Sequence, residues 1–251
     1  MNVLLLKITL MPCIIAFITL VARRWGNQIG GLVGSMPWVA GPITLFFIME
    51  QGKPFGIQSV PGVMVGILAL ISFCFSYSYF AQHHRPAPTL LRAYGVYATA
   101  VVLFMYILKP GLVVSYGLVL TSVWLALRNF PKPGPPSANP RRLPYEIPIR
   151  MLVATLFVLL ITGLAHVLGP TWSGILTPFP ILTTILAVFG HAFGGSGAAI
   201  NTLRGLVMGI FGFSTFLFLQ AFLLPQFSVA VLFGLALVVN VVINLVAVRV
   251  W

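Results

Sequence analysis

Nine apolar runs follow one another along this chain, at roughly residues 3–22, 29–50, 57–81, 89–108, 111–128, 149–168, 172–192, 200–223 and 227–249. About 20 apolar residues in helical conformation cross the hydrocarbon core of a bilayer. Inside that core every backbone N–H and C=O needs a partner from the chain itself, so segments of this kind span as helices. The expected fold is therefore all-α, a polytopic membrane bundle of about nine transmembrane helices. Only 6% of the residues are charged, against about 25% in soluble domains, so sixteen charges cannot coat a water-facing surface. The connections are short except at 129–147, where Pro131, Pro133, Pro135, Pro136, Pro140 and Pro144 predict an extended, solvated spacer. Residues 1–22 read as the first span rather than a cleaved leader. Lys7 interrupts the run, Arg23 and Arg24 follow it, and no small-x-small cleavage site is in sight.

A net charge of +12 raises nucleic acid as a partner, but the basic residues sit at the ends of apolar runs and not on one face with interleaved aromatics. They read as topology signals, with membrane lipid as the neighbour. Nine alternating spans place Arg23, Arg24, Arg85, Arg92, Arg128, Lys132, Arg141, Arg142, Arg150, Arg204 and Arg249 on one side and only Lys7, Lys53 and Lys109 on the other. The predicted orientation in a bacterial inner membrane has the N-terminus outside and the C-terminus cytoplasmic. Cys13 and Cys74 both lie in apolar runs, which leaves no disulfide framework and no zinc spacing. Glu50 and Glu146 are the only acids, and neither a Ser/His/acid set nor a phosphate loop occurs, so the sequence gives no support to an enzyme or to a cofactor.

Displaced by 143 residues, the chain matches itself without a gap from 7–80 onto 150–223. Fourteen of 74 positions are identical, where about six would arise by chance in a repeat search on this composition. Among them are Gly26/Gly169, Gly31/Gly174, Pro37/Pro180, Gly52/Gly195, Gly62/Gly205 and Gly66/Gly209. Glycine lets membrane helices approach and proline breaks their ladder, so these identities carry positional meaning. Equivalent runs are five spans apart, an odd number, which predicts an inverted 4+1+4 repeat. Its parts are a first four-helix unit over 1–108, a connector helix and Pro-rich loop over 109–147, and a second, inverted unit over 148–251. Inverted repeats of this type build many secondary transporters.

The second and seventh runs are interrupted at matched places, by Gly34, Ser35, Pro37 and Pro42 and by Thr177, Pro178 and Pro180. Broken helices at mid-membrane depth leave backbone dipoles free to meet a polar or anionic solute. A merely structural kink is the competing reading. Thr183, Thr184, Asn201, Arg204, Tyr94 and Tyr97 are further candidates for a substrate path. Asn240 and Asn244 share one helix face and are either path-lining or an interhelical tie. Glu50 and His191 are candidate coupling groups, although Glu50 sits at a helix end beside Lys53, where a solvated interfacial role competes. His83, His84 and Arg85 form a turn expected to contact lipid headgroups.

The segments Gly31-Leu32…Met36-Pro37 and Gly174-Ile175…Phe179-Pro180 resemble the signature of the GlpM-like small bacterial inner-membrane proteins. Glu50-Gln51-Gly52 and Leu203-Arg204 are similar to that family's Glu-Arg-Gly and Leu-Arg motifs. Each half covers about one such unit, over 7–103 and 150–246. Phe193 and Pro61 depart from the pattern, so each half keeps one charge of the pair. The resemblance implies a fused, inverted pair of units and leaves the activity open. Taken together, these features predict a secondary transporter or exporter of a small polar or anionic metabolite, with a possible homodimer. The alternative is a non-transporting scaffold or lipid-binding partner of an envelope biosynthetic enzyme.

Overall fold

The computed structural model describes residues 3–25, 32–34, 36–133 and 145–250, and among these there is no strand. Ser35, the stretch 26–31 and most of the proline-rich spacer, 134–144, lie outside the described residues. The helices are α1 (Val3–Trp25), α2 (Ala40–Gln51), α3 (Lys53–Phe80), α4 (Pro86–Val102), α5 (Leu112–Arg128), α6 (Glu146–Gly163), α7 (Ala165–Leu176), α8 (Ile181–Leu223) and α9 (Val229–Val250). A π-helical stretch, Leu103–Leu108, continues α4.

Four helical segments are long and apolar enough to cross a membrane: Lys53–Phe80, Pro86–Leu108, Ile181–Leu223 and Val229–Ala247. The bent pair α6–α7 makes a fifth if it counts as one span. The run at 29–50 does not form one continuous helix. Residues 32–34 are helical, a turn follows at residues 36–39, and α2 begins at Ala40. Likewise the run at 172–192 is divided between α7 and α8 by a break at 177–180. Proline accounts for both interruptions, since Pro37, Pro178 and Pro180 lack the N–H that a continuing ladder needs.

Glycine sets the remaining corners. Gly52 (φ 89°, ψ 165°) separates α2 from α3, Gly195 (φ 80°, ψ 174°) kinks α8, and Gly169 (φ 70°, ψ 172°) kinks α7. L-residues rarely adopt this backbone, so a side chain at any of the three would strain the turn. A shift of 143 residues carries Gly52 onto Gly195 and carries Lys53–Phe80 onto 196–223, the part of α8 beyond its kink. It also carries Pro86 onto Val229 and Val3 onto Glu146, the first residues of α9 and α6.

The core is built around α3, which is apolar on every side and packs against α2, α4, α5, α7 and α8. A helix apolar all round has no face to offer water. Residues 196–223 of α8 are buried in the same way. By contrast α4 turns only Thr89, Ala93, Tyr97, Ala100 and Val101 inward, and presents Leu91, Val96, Val102 and Ile107 outward. An apolar outer face of this kind is what lipid as solvent requires.

Two contacts fix direction. Lys53 Nζ, at the start of α3, donates to the Leu224 and Phe227 carbonyls just past the end of α8, at 3.4 and 3.3 Å. At the opposite end Gly195 and Ser196 share a pocket with Ala81–Pro86, which follow α3. Hence α3 and residues 196–223 run antiparallel. So do α1 and α6, where Ile15 packs with Ala154 while Met11 clusters with Val158 and Ile161.

The crossing of α3 with α7 is made of glycine. A Cβ on Gly174 would strike the Ser59 carbonyl, and one on Gly62 would strike the Thr171 carbonyl. A Cβ on Gly66 would come within 2.5 Å of the Ile175 carbonyl and 2.6 Å of Pro178. Gly95, on the outer face of α4, has nothing within 4 Å. Gly174→Ala should therefore lower the unfolding midpoint of the detergent-solubilised protein, at a cost of about 1–3 kcal/mol for forced overpacking. Gly95→Ala should leave it unchanged or raise it by about 0.5–1 kcal/mol through helix propensity.

Candidate functional site

The two proline-broken segments meet. Between them lies a cavity of about 80 Å³. Its wall contains five residue pairs that are 143 apart in sequence: Gly34 with Thr177, Met36 with Phe179, Val39 with Leu182, Ala40 with Thr183, and Leu70 with Phe213. Local sequence explains the position. Prolines stop the helices at 36–39 and 177–180, so helix ends, not two continuous helical surfaces, face each other there. The space admits several water molecules and is small beside the about 300–1,000 Å³ of a typical ligand site.

The lining is mostly apolar. Thr177 Oγ1 donates to the Ser173 carbonyl at 2.8 Å, within its own turn. Thr183 Oγ1 makes no hydrogen bond among the described residues, which leaves a hydroxyl at the cavity wall free to meet a guest. Phe179 forms one side and is held by three rings. Tyr94 stacks on it at 5.8 Å, Tyr97 meets it edge-on at 5.4 Å, and Phe157 lies 5.9 Å away. Tyr94 is itself tied to Thr184, Oη to Oγ1 at 2.8 Å. The Tyr97 hydroxyl is buried without a partner among the described residues.

Of the predicted path residues, Gly34, Thr177 and Thr183 line the cavity. Pro37 and Pro180 are buried in the breaks that shape it, and Ser35 lies outside the described residues. Thr184 serves as the anchor of Tyr94 and is not part of the wall. Asn201 and Arg204, half-buried on α8, do not reach the cavity. Asn240 and Asn244 are not there either. They face Gly212 across the α8–α9 seam, with Asn244 Nδ2 donating to Asn240 Oδ1 at 3.3 Å. Their one hydrogen bond runs within α9, and Asn240 Nδ2 and Asn244 Oδ1 have no partner among the described residues. The inward stripe of α9 is Leu232, Ala236, Asn240, Asn244 and Ala247, and the glycine opposite leaves room for two amides.

Glu50 is not a free interfacial carboxylate. Lys7 Nζ donates to it at 2.6 Å, with the Lys7 side chain only 5% exposed and that of Glu50 29%. Lys7 also lies over the Phe46 ring, 5.3 Å from its centroid. His191 has a partner too, with Nδ1 3.4 Å from Tyr77 Oη, and it sits well away from the cavity, next to the Gly195 kink. Phe157, Phe179, Phe213 and the ion pair were not anticipated from sequence. Only Phe179 carried a signal, because it stands between two prolines. Among the described residues no three His, Cys or carboxylate side chains gather as a metal set.

No protein-family model, curated protein or solved structure matches this chain.

The ion pair generates a direct expectation. Glu50→Gln leaves the Lys7 ammonium buried without its counter-charge and should destabilise the folded protein by about 3 kcal/mol, seen as a lower unfolding midpoint in detergent. The double variant Lys7→Met/Glu50→Gln removes both charges and should recover most of that loss.

Proposed function

We propose that this protein is a secondary transporter that moves a small solute by alternating access between two inverted halves. The observation that carries the reading is the wall of the central cavity, where five register-matched pairs face one space. Two copies of one asymmetric unit, placed upside down to each other, have two conformations of similar energy, and exchanging them opens the centre to alternate sides. The antiparallel course of α3 and residues 196–223, the shared backbone of Gly52 and Gly195, and the coincident element bounds support the inverted arrangement. The hydrogen bonds of Lys53 to the 224–227 turn, and the pocket that Ser196 shares with the 81–86 turn, each bring together connections that nine alternating spans assign to one side. Kinship with the GlpM-like proteins, each half standing for one unit, is part of the same proposal, as are placement in a bacterial inner membrane and the absence of enzymatic chemistry.

The lining narrows the solute. Among the described residues no cationic side chain faces the cavity, so none of them offers an anionic guest a counter-charge there. A free Thr183 hydroxyl among aromatic and aliphatic walls suits a solute with an apolar body and one or two hydrogen-bonding groups. The small, largely apolar space also favours the second reading, a non-transporting membrane scaffold whose centre stays sealed.

Reconstitution separates the two. Proteoliposomes should take up a member of a panel of small amphipathic solutes, and the same solute should raise the unfolding midpoint. Gly34→Leu fills the cavity and should abolish uptake while the protein remains folded. Thr183→Val should raise KM several-fold, by about the 0.5–1.5 kcal/mol of one hydrogen bond. Neither uptake nor thermal stabilisation across the panel, with Gly34→Leu behaving as wild type, would favour the scaffold.

A further inference from the structure

We propose that the bundle carries a second site, an anion pocket for a phosphate group, at the end of α3 next to the Gly195 kink. An open pocket of about 410 Å³ lies there, and Gln82, His83, His84, Arg85, His191 and Ser196 contribute to it. Three imidazoles and a guanidinium border it, and no carboxylate among the described residues does. Glu50 is bound to Lys7 beside the opposite end of α3.

The matching place in the other half explains why this pocket is open. There the residue after the positive-φ glycine is Lys53, and its side chain crosses the gap to the Leu224 and Phe227 carbonyls. Here the residue after Gly195 is Ser196, whose short side chain cannot reach the 81–86 turn. One half closes the gap with its own cation. The other leaves it open and borders it with the Arg85 guanidinium and the imidazoles of the turn.

The chemistry of the donors selects the ligand. Arginine meets phosphate oxygens with a planar, paired set of N–H groups, and imidazoles add further donors around a tetrahedral oxyanion. His191 is held in place by Tyr77, with Nδ1 3.4 Å from Oη and the rings edge-on at 6.0 Å. The positive end of the helical segment 196–223 starts at the same pocket. A phosphate group reaches this position either as a free anion or as the headgroup of an anionic phospholipid.

The test uses the full-length protein in phosphatidylcholine nanodiscs. One arm titrates inorganic phosphate by isothermal calorimetry. The other replaces part of the lipid with phosphatidylglycerol, without phosphate, and reads the unfolding midpoint and the lipid retained in native mass spectra. Saturable phosphate binding that weakens about tenfold in Arg85→Gln and in His84→Ala identifies a free-anion site. Stabilisation and retention of phosphatidylglycerol that are lost in both variants, with no phosphate binding, identify a headgroup site. Lys53→Gln removes a cation from the opposite end and should respond as wild type in either arm. The proposal is overturned if neither probe binds, or if both pocket variants respond as the wild type does.

Discussion

Backbone meets backbone where α3 crosses α7, at Gly62, Gly66 and Gly174, and the centre of the molecule depends on that approach. In lipid the burial of apolar surface gives helices little reason to associate, so association rests on close packing and a few polar ties. The crossing brings α7, and with it the Thr177–Pro180 break, against α3. Pro178 lies against Gly66, and the next turn along α3 supplies Leu70 to the cavity wall. A larger residue at any of the three glycines would push the broken segment away from the wall that it completes.

Much of this was legible in the amino-acid order. Glycine and proline are the residues whose backbone consequences do not depend on distant partners, and the 143-residue register was visible through them. The break at 177–180 follows from Pro178 and Pro180, and the corners at Gly52 and Gly195 from paired glycines. Hydropathy alone treats 29–50 and 172–192 as single spans, because it does not register a missing N–H; the prolines inside those runs are what marked the interruptions. Side-chain partners from remote segments were illegible. Nothing local to Lys7 points to Glu50, and nothing local to Asn240 distinguishes a path from a seam until Gly212 stands opposite. Phe179 becomes the hub of an aromatic wall only through Tyr94, Tyr97 and Phe157, which come from two other helices.

The two halves differ where polar groups are concerned. Lys7 and Glu50 pair in the first, and the residue matching Glu50 in the second is Phe193. Tyr94 and Tyr97 brace Phe179, while their counterparts on α9 are Leu237 and Asn240, and the counterpart of Phe179 is the flexible Met36. Lys53 bridges to a turn, and Ser196 does not. In the transport reading such differences bias one conformation over its mirror, since perfectly equal halves would populate both alike. The glycines and prolines hold the shared backbone, and the polar substitutions give each side its own chemistry.

The proposed inversion of the two units is tested most directly by asking from which side matched residues are reached. In a background with Cys13 and Cys74 replaced by serine, Lys53→Cys and Ser196→Cys are each exposed to a membrane-impermeant thiol reagent in vesicles of uniform orientation. Inverted halves require the two cysteines to react from opposite sides of the bilayer. Reaction of both from the same side would contradict the account.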